Sequence, residues 1–414
     1  MKTIFRYTNI WLLVAIVAAG AVAGFAQDPC GDAEGQTALG DKFRAQYPEK
    51  TVEGRKQAIE TGKQFLDKYG ACESAKDLAE YLKTTLPKME TALKNVQTAA
   101  EKQALTTRFD TALKAKNWDD VYASGQEILA KYPDEFRAAE LVLGSIGLDE
   151  TAKTPRVTKW NDQTLRYAKM SIADLESGKT FSKFGVDQFT YKTKDDALGW
   201  MNYTIGYITF FDKGNKKDAL SYLYKATQLD SDTKSNPVVY QTIGLYYYDE
   251  VRKLAAEVDT MAKDQKDTDT PEVAKQKVDA IKAKVAMVNG TAEAAIDAYA
   301  RAYTLAAKDP KTKPYADSLH KTIADLYNVR FGKPDGVDTW IANVTKKPMP
   351  NPLNPVTPIA DPEPTGSSAT KTPAGTSSAL PAAAPAKPAA GVKPSPTAPA
   401  KPQVVTQPVA KKKS

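Results

Sequence analysis

Apolar residues recur along this chain at helical spacing, in a pattern that repeats. Within residues 218–230, Ala219, Leu223 and Ala226 lie at i, i+4 and i+7, on one face of a helix. Small residues at two of these positions let a second helix approach closely. After a short loop, Tyr240, Ile243, Gly244 and Tyr247 line one face of the next helix. A second similarity lays residues 57–69 over residues 120–132. Gly62 then matches Gly125, Phe65-Leu66 matches Ile128-Leu129, and Lys68-Tyr69 matches Lys131-Tyr132.

The same reading predicts helices around residues 74–86, 87–95, 138–147, 163–173, 197–211 and 217–229, with loops at 151–160 and at the aromatic stretch 180–193. Asn236-Pro237 opens a helix, since proline suits a first turn. Val251, Leu254, Val258 and Met261 prolong it, and Thr270-Pro271 supplies an N-cap and first-turn proline for the next. Val278, Ile281, Val285 and Val288 continue the spacing. Asn289-Gly290 reads as a stop and Thr291 as a fresh cap. Residues 249–289 thus read as a helical hairpin inserted within one repeat; the alternative is a pair of long repeat helices. Ala295, Tyr299 and Ala302 resume the pattern, Ile323, Ala324 and Tyr327 give a further helix, and Val337, Ile341 and Val344 a short final one. No strand pattern is evident.

These helix pairs, with small residues at close-contact positions and Pro133 at a helix end, resemble the tetratricopeptide repeat (TPR) family. The resemblance covers roughly residues 50–345 and is strongest over 197–248 and 291–308. The two early copies lie about 63 residues apart, nearly twice the usual repeat of about 34. The resemblance implies an all-α protein: an α-solenoid of antiparallel helix pairs over 51–345, carrying the inserted or extended hairpin 249–289. It further implies a non-catalytic scaffold with a protein or peptide ligand in its concave groove. Adjacent residues on a helix point about 100° apart, so Tyr246, Tyr247 and Tyr248 cannot all face one core. Most aromatic residues here fill the core. Tyr203, Tyr207, Tyr240 and Tyr247 are the candidates for a recognition surface, since Tyr and Trp often anchor interfaces.

The two ends are of different material. Residues 1–26 combine Lys2 and Arg6 with an apolar run and small residues before Gln27, which reads as a secretory signal peptide or an uncleaved anchor over 8–26. The chain is therefore expected to be exported, to a periplasm or outside the cell. In such a compartment Cys30 and Cys72, the only two cysteines, are expected to form a disulfide that ties the segment 27–50 to the first helices. Residues 346–414 are rich in Pro, Ala, Ser, Thr and Lys and poor in large apolar side chains. That composition predicts a disordered tail. The tail holds nine lysines against Asp361 and Glu363, a surplus of seven; with Lys2 and Arg6, the ends leave residues 27–345 at about −2 of the whole chain's +7. The basic charge belongs to the ends, so no nucleic acid is expected on the fold. The tail has the charge to contact anionic cell-wall polymers or a membrane.

No catalytic constellation stands out. With one histidine, His320, no multi-histidine metal site is possible. Neither a Gly-x-Ser-x-Gly elbow nor a phosphate-cradling glycine loop occurs. Asp119-Asp120 and Asp195-Asp196 fall where helix N-termini favour negative charge. No enzyme activity, cofactor or metal is expected; the remaining enzyme reading would use scattered carboxylates in the groove.

Overall fold

A computed structural model describes residues 28–333 and 335–361 of the 414-residue chain. Residues 1–26, read above as a signal, and the tail beyond residue 361 lie outside the described residues. Among the described residues the fold is all-α, without a strand. It divides into two compact units, Met1–Ala104 and Leu105–Ser414.

In the first unit, α1 (Ala33–Gln46) packs on α2 (Val52–Tyr69), and α3 (Lys76–Ala115) begins after a short 3-10 turn. Phe43, Ala58, Phe65, Tyr69, Cys72, Leu82 and Leu86 form the core. Cys30 and Cys72 are joined by a disulfide, with Cα atoms 5.1 Å apart. Beside it Asp32 caps α1, accepting the Gly35 N–H at 2.9 Å. The same carboxylate accepts the Tyr69 hydroxyl at 2.5 Å and the Lys68 ammonium at 2.9 Å. These hydrogen bonds, the Tyr69 hydroxyl foremost, hold the Asp32 carboxyl down at about 2. The sequence predicts a break before Pro87, but α3 runs through it. Leu82 and Leu86, one turn apart, both buried and both just before Pro87, hold the helix against α2.

In the second unit, α4 (Trp118–Lys131), α5 (Pro133–Phe136), α6 (Ala138–Leu143), α7 (Ile146–Thr151) and α8 (Asn161–Glu176) enclose one apolar cluster with the end of α3. A larger cluster follows, through α9 (Lys194–Phe211), α10 (Lys216–Gln228), α11 (Pro237–Lys263), α12 (Pro271–Ala306), α13 (Lys313–Phe331) and α14 (Val337–Val344). From α8 to α14 each helix packs on the next in sequence. Gly206 and Gly244 make two of these approaches possible. A Cβ on Gly206 would stand 2.7 Å from Leu223 of α10, and one on Gly244 would stand 2.8 Å from Tyr299 of α12. Asn236 and Thr270 cap α11 and α12, each followed by a first-turn proline.

Two expectations need correction. Asn289-Gly290 does not end a helix, and Thr291 caps nothing: its hydroxyl donates back to the Met287 carbonyl at 2.7 Å inside α12. Residues 249–289 are therefore the end of α11, a short turn and the start of α12, an extension of two long helices packed on each other rather than a separate insertion. The boundary of the tail also moves. Residues 346–361 are not loose but form a strap lying along α12. Met349 and Val356 pack on the apolar cluster and Pro352 is buried. Composition misses this because the strap is held mainly through its backbone and through Asp361.

Candidate functional site

The structure places all four candidate tyrosines inside the second unit. Tyr203 and Tyr207 are each 2% exposed, Tyr240 8% and Tyr247 6%. Tyr203 and Tyr207, successive on one face of α9, meet edge to face at 5.7 Å. The Tyr240 hydroxyl donates to the Lys234 carbonyl at 3.0 Å, which closes the turn before its own helix. Burial drives the Tyr203 hydroxyl well above its ordinary range and that of Tyr247 up to about 12. These rings pack between helices and are nearly enclosed. Of the three consecutive tyrosines, Tyr247 and Tyr248 face inward and Tyr246 is half exposed, as a 100° step per residue requires.

Exposed aromatic surface lies instead in the first unit. Tyr47 ends α1, Tyr81 lies early on α3, and both are 45% exposed. Their rings meet edge to face at 6.3 Å, and a hydrogen bond between the hydroxyls raises the Tyr47 pKa. With Phe43, Arg44, Asp77 and Leu78 they line a hollow of about 410 Å³. Phe43 is buried at its base, while Asp77 sits in the first turn of α3. The hollow thus offers an apolar floor, two aromatic rims and charges of both signs. Nothing in the sequence singled these tyrosines out: Tyr47 stands outside a helical stripe and Tyr81 has no repeat counterpart. A second groove of about 530 Å³ lies between α2 and α3, among Lys56, Glu60, Lys63, Asp67, Glu90 and Lys94. Lys63 and Glu90 pair across it at 2.6 Å.

Two carboxylates lie close to each other in the second unit. Glu140 of α6 is buried, its Oε2 without a hydrogen-bond partner. Burial, then the nearby Asp174 charge, lifts its pKa to about 7. Asp174 is itself paired with Lys179 at 2.7 Å and Arg137 at 3.4 Å. Solvent does not reach Glu140 Oε2, so this pair is not presented to a substrate. Asp119-Asp120 and Asp195-Asp196 occupy the first turns of α4 and α9. Asp196 is satisfied by the Lys192 and Asp232 amides and the Ser231 hydroxyl, at 3.0 to 3.1 Å. His320 bonds Asp338 at 2.9 Å, half exposed, beside the Tyr303 ring. Among the described residues no group of three or more His, Cys, Asp or Glu could hold a metal ion. No described helix is long and apolar enough to cross a membrane.

No protein-family model, no curated protein and no solved structure matches this chain.

Proposed function

We propose that this chain is an exported, non-catalytic scaffold of the cell envelope that binds a protein or peptide partner. In this reading its second unit is a TPR-like α-solenoid. The observation that carries it is the succession of helices from α8 to α14, each packed on its sequence neighbour. From α9 to α14 the connections are short, which favours antiparallel pairs, and stacked pairs of this kind serve as binding scaffolds. With Tyr203, Tyr207, Tyr240 and Tyr247 buried, the aromatic contact for the partner passes to Tyr47 and Tyr81, and any groove contact to the half-exposed faces beside them in sequence, such as Tyr246.

The test is a pull-down from an envelope fraction with the full chain and with a Tyr47→Ala/Tyr81→Ala variant. A specific partner recovered by the first and lost by the second supports the reading. Recovery of no specific partner by the full chain sinks it. Export is tested separately by sequencing the mature N-terminus, expected to begin at Gln27.

A second reading makes the basic tail the active part, in contact with anionic wall polymers or a membrane. The concentration of lysine there, against a slightly acidic remainder, favours it. Because 346–361 are packed, the informative deletion is 362–414. It should abolish envelope retention and leave the helices folded; unchanged fractionation would reject the tail's role.

A further inference from the structure

The strap is held as a bound peptide is held, by its main chain and the side-chain carboxylate of Asp361. The Ile359 N–H donates to the Ala286 carbonyl at 2.8 Å. The buried Asn289 amide donates to the Ile359 carbonyl and to Asp361, both at 3.0 Å. Arg330 of α13 reaches the same Asp361 oxygen at 3.0 Å while braced by Glu293 at 2.8 Å. Farther along, Arg301 donates to the Val344 and Lys347 carbonyls at 3.0 and 2.9 Å, itself oriented by Asp297 at 2.7 Å. Ala286, Asn289, Glu293, Asp297 and Arg301 follow at steps of three and four, one continuous stripe of α12. Gly290 completes it. The three atoms nearest to a Cβ added there all belong to the strap, the Thr357 carbonyl oxygen at only 2.1 Å.

Helix interiors ordinarily disfavour glycine by about 1 kcal/mol, and a buried asparagine needs its hydrogen bonds met. Both costs are offset here by one neighbour, the strap. We infer that this stripe, with Arg330, is a docking site for an extended peptide carrying a carboxylate two places after the residue whose main chain pairs with Ala286 and Asn289, and that residues 356–361 fill it in cis. An incoming segment of that chemistry must displace the strap. The inference stands on these contacts alone and does not depend on the solenoid or the export reading.

The probe is a fluorescein-labelled synthetic peptide of residues 350–361, followed by anisotropy with the full-length chain. In one variant, Ile359→Pro removes the N–H given to Ala286 and Asp361→Lys opposes Arg330. A second adds Gly290→Val to these; Asn289→Ala replaces it should that chain fail to fold by circular dichroism. Susceptibility to limited proteolysis within residues 346–361 reports whether the strap has been released. The unaltered chain is expected to bind the peptide at least tenfold more weakly than the strap variant, because the tethered segment competes at high effective concentration. The added Gly290→Val or Asn289→Ala change is expected to remove the binding. A released strap with no peptide binding overturns the inference. So does binding that is equal with and without release, binding that survives the added change, or a strap that stays protected in the first variant.

Discussion

The Asp32 carboxylate accepts the Tyr69 hydroxyl at 2.5 Å across 37 residues of sequence, next to a disulfide that closes almost the same loop. A covalent link and a charge-assisted hydrogen bond thus fasten the same corner of the first unit. Loop-closure entropy assigns a disulfide of this span about 2–4 kcal/mol. Replacing both cysteines with serine is expected to lower the first unit's denaturant midpoint accordingly, with the second unit's transition unchanged. Urea unfolding of the full chain, followed by exchange in each unit, checks this.

The Asp32 network also predicts acid sensitivity. Its folded pKa of about 2 lies below the ordinary 3.8. The stabilisation is therefore fully present above about pH 4 and is lost as pH falls toward 2. Asp32→Asn should remove that part of the acid titration, so the variant is less stable than the parent at neutral pH and the two converge near pH 2. Parallel curves over that range would refute the assignment.

Glu140 predicts the opposite slope. Its folded pKa is raised to about 7 from 4.5, so the folded state keeps a proton that the unfolded chain has lost. Stability is highest below about pH 4.5 and declines as pH rises to about 7. Glu140→Gln should abolish that decline and raise stability at pH 8 by about 1–2 kcal/mol, a figure discounted for screening by Arg137 and Lys179. Thermal melts at pH 5 and pH 8 suffice.

Much of the helical architecture was legible because local signals and packing agree. Asn236-Pro237 and Thr270-Pro271 start helices where their chemistry says they should. Gly206 and Gly244 sit where a neighbouring helix comes close. Legibility ended where a residue's role depends on a distant partner. Asn289-Gly290 has the chemistry of a helix stop, yet the residues that give it meaning are 357–361. Pro87 looks like a break until Leu82 and Leu86, in the turn before it, are seen anchored on α2. The tyrosines could be ranked by spacing but not by burial: aromatic residues at repeat positions read the same on either side of a helix. Tyr47 and Tyr81 come together only through the packing of α1 and α3, which no local pattern records.

Gly206 offers a test of helix packing in the second unit. Alanine in a helix interior ordinarily gains about 1 kcal/mol over glycine. Here its Cβ would press on Leu223, whose side chain and backbone stand 2.7 and 3.2 Å away. Overpacking costs about 1–3 kcal/mol, so Gly206→Ala is expected to destabilise the unit despite the better propensity. A gain in denaturant midpoint would mean that α9 and α10 are less closely packed than described.

The two classes of tyrosine should separate cleanly. Tyr203→Ala empties a fully enclosed site between helices, and large aromatic truncations in cores cost about 3–5 kcal/mol. Tyr47→Ala and Tyr81→Ala remove half-exposed rings whose mutual edge contact is worth about 1 kcal/mol, so each should leave the melting temperature within a few degrees. If the rim they form meets the partner, the surface variants lose binding at unchanged stability. Tyr203→Ala, by contrast, should lose stability first and binding only as the fold is lost. Measuring both quantities on all three variants distinguishes a contact residue from a core residue. Stability losses of equal size across the three would remove the basis for assigning recognition to Tyr47 and Tyr81.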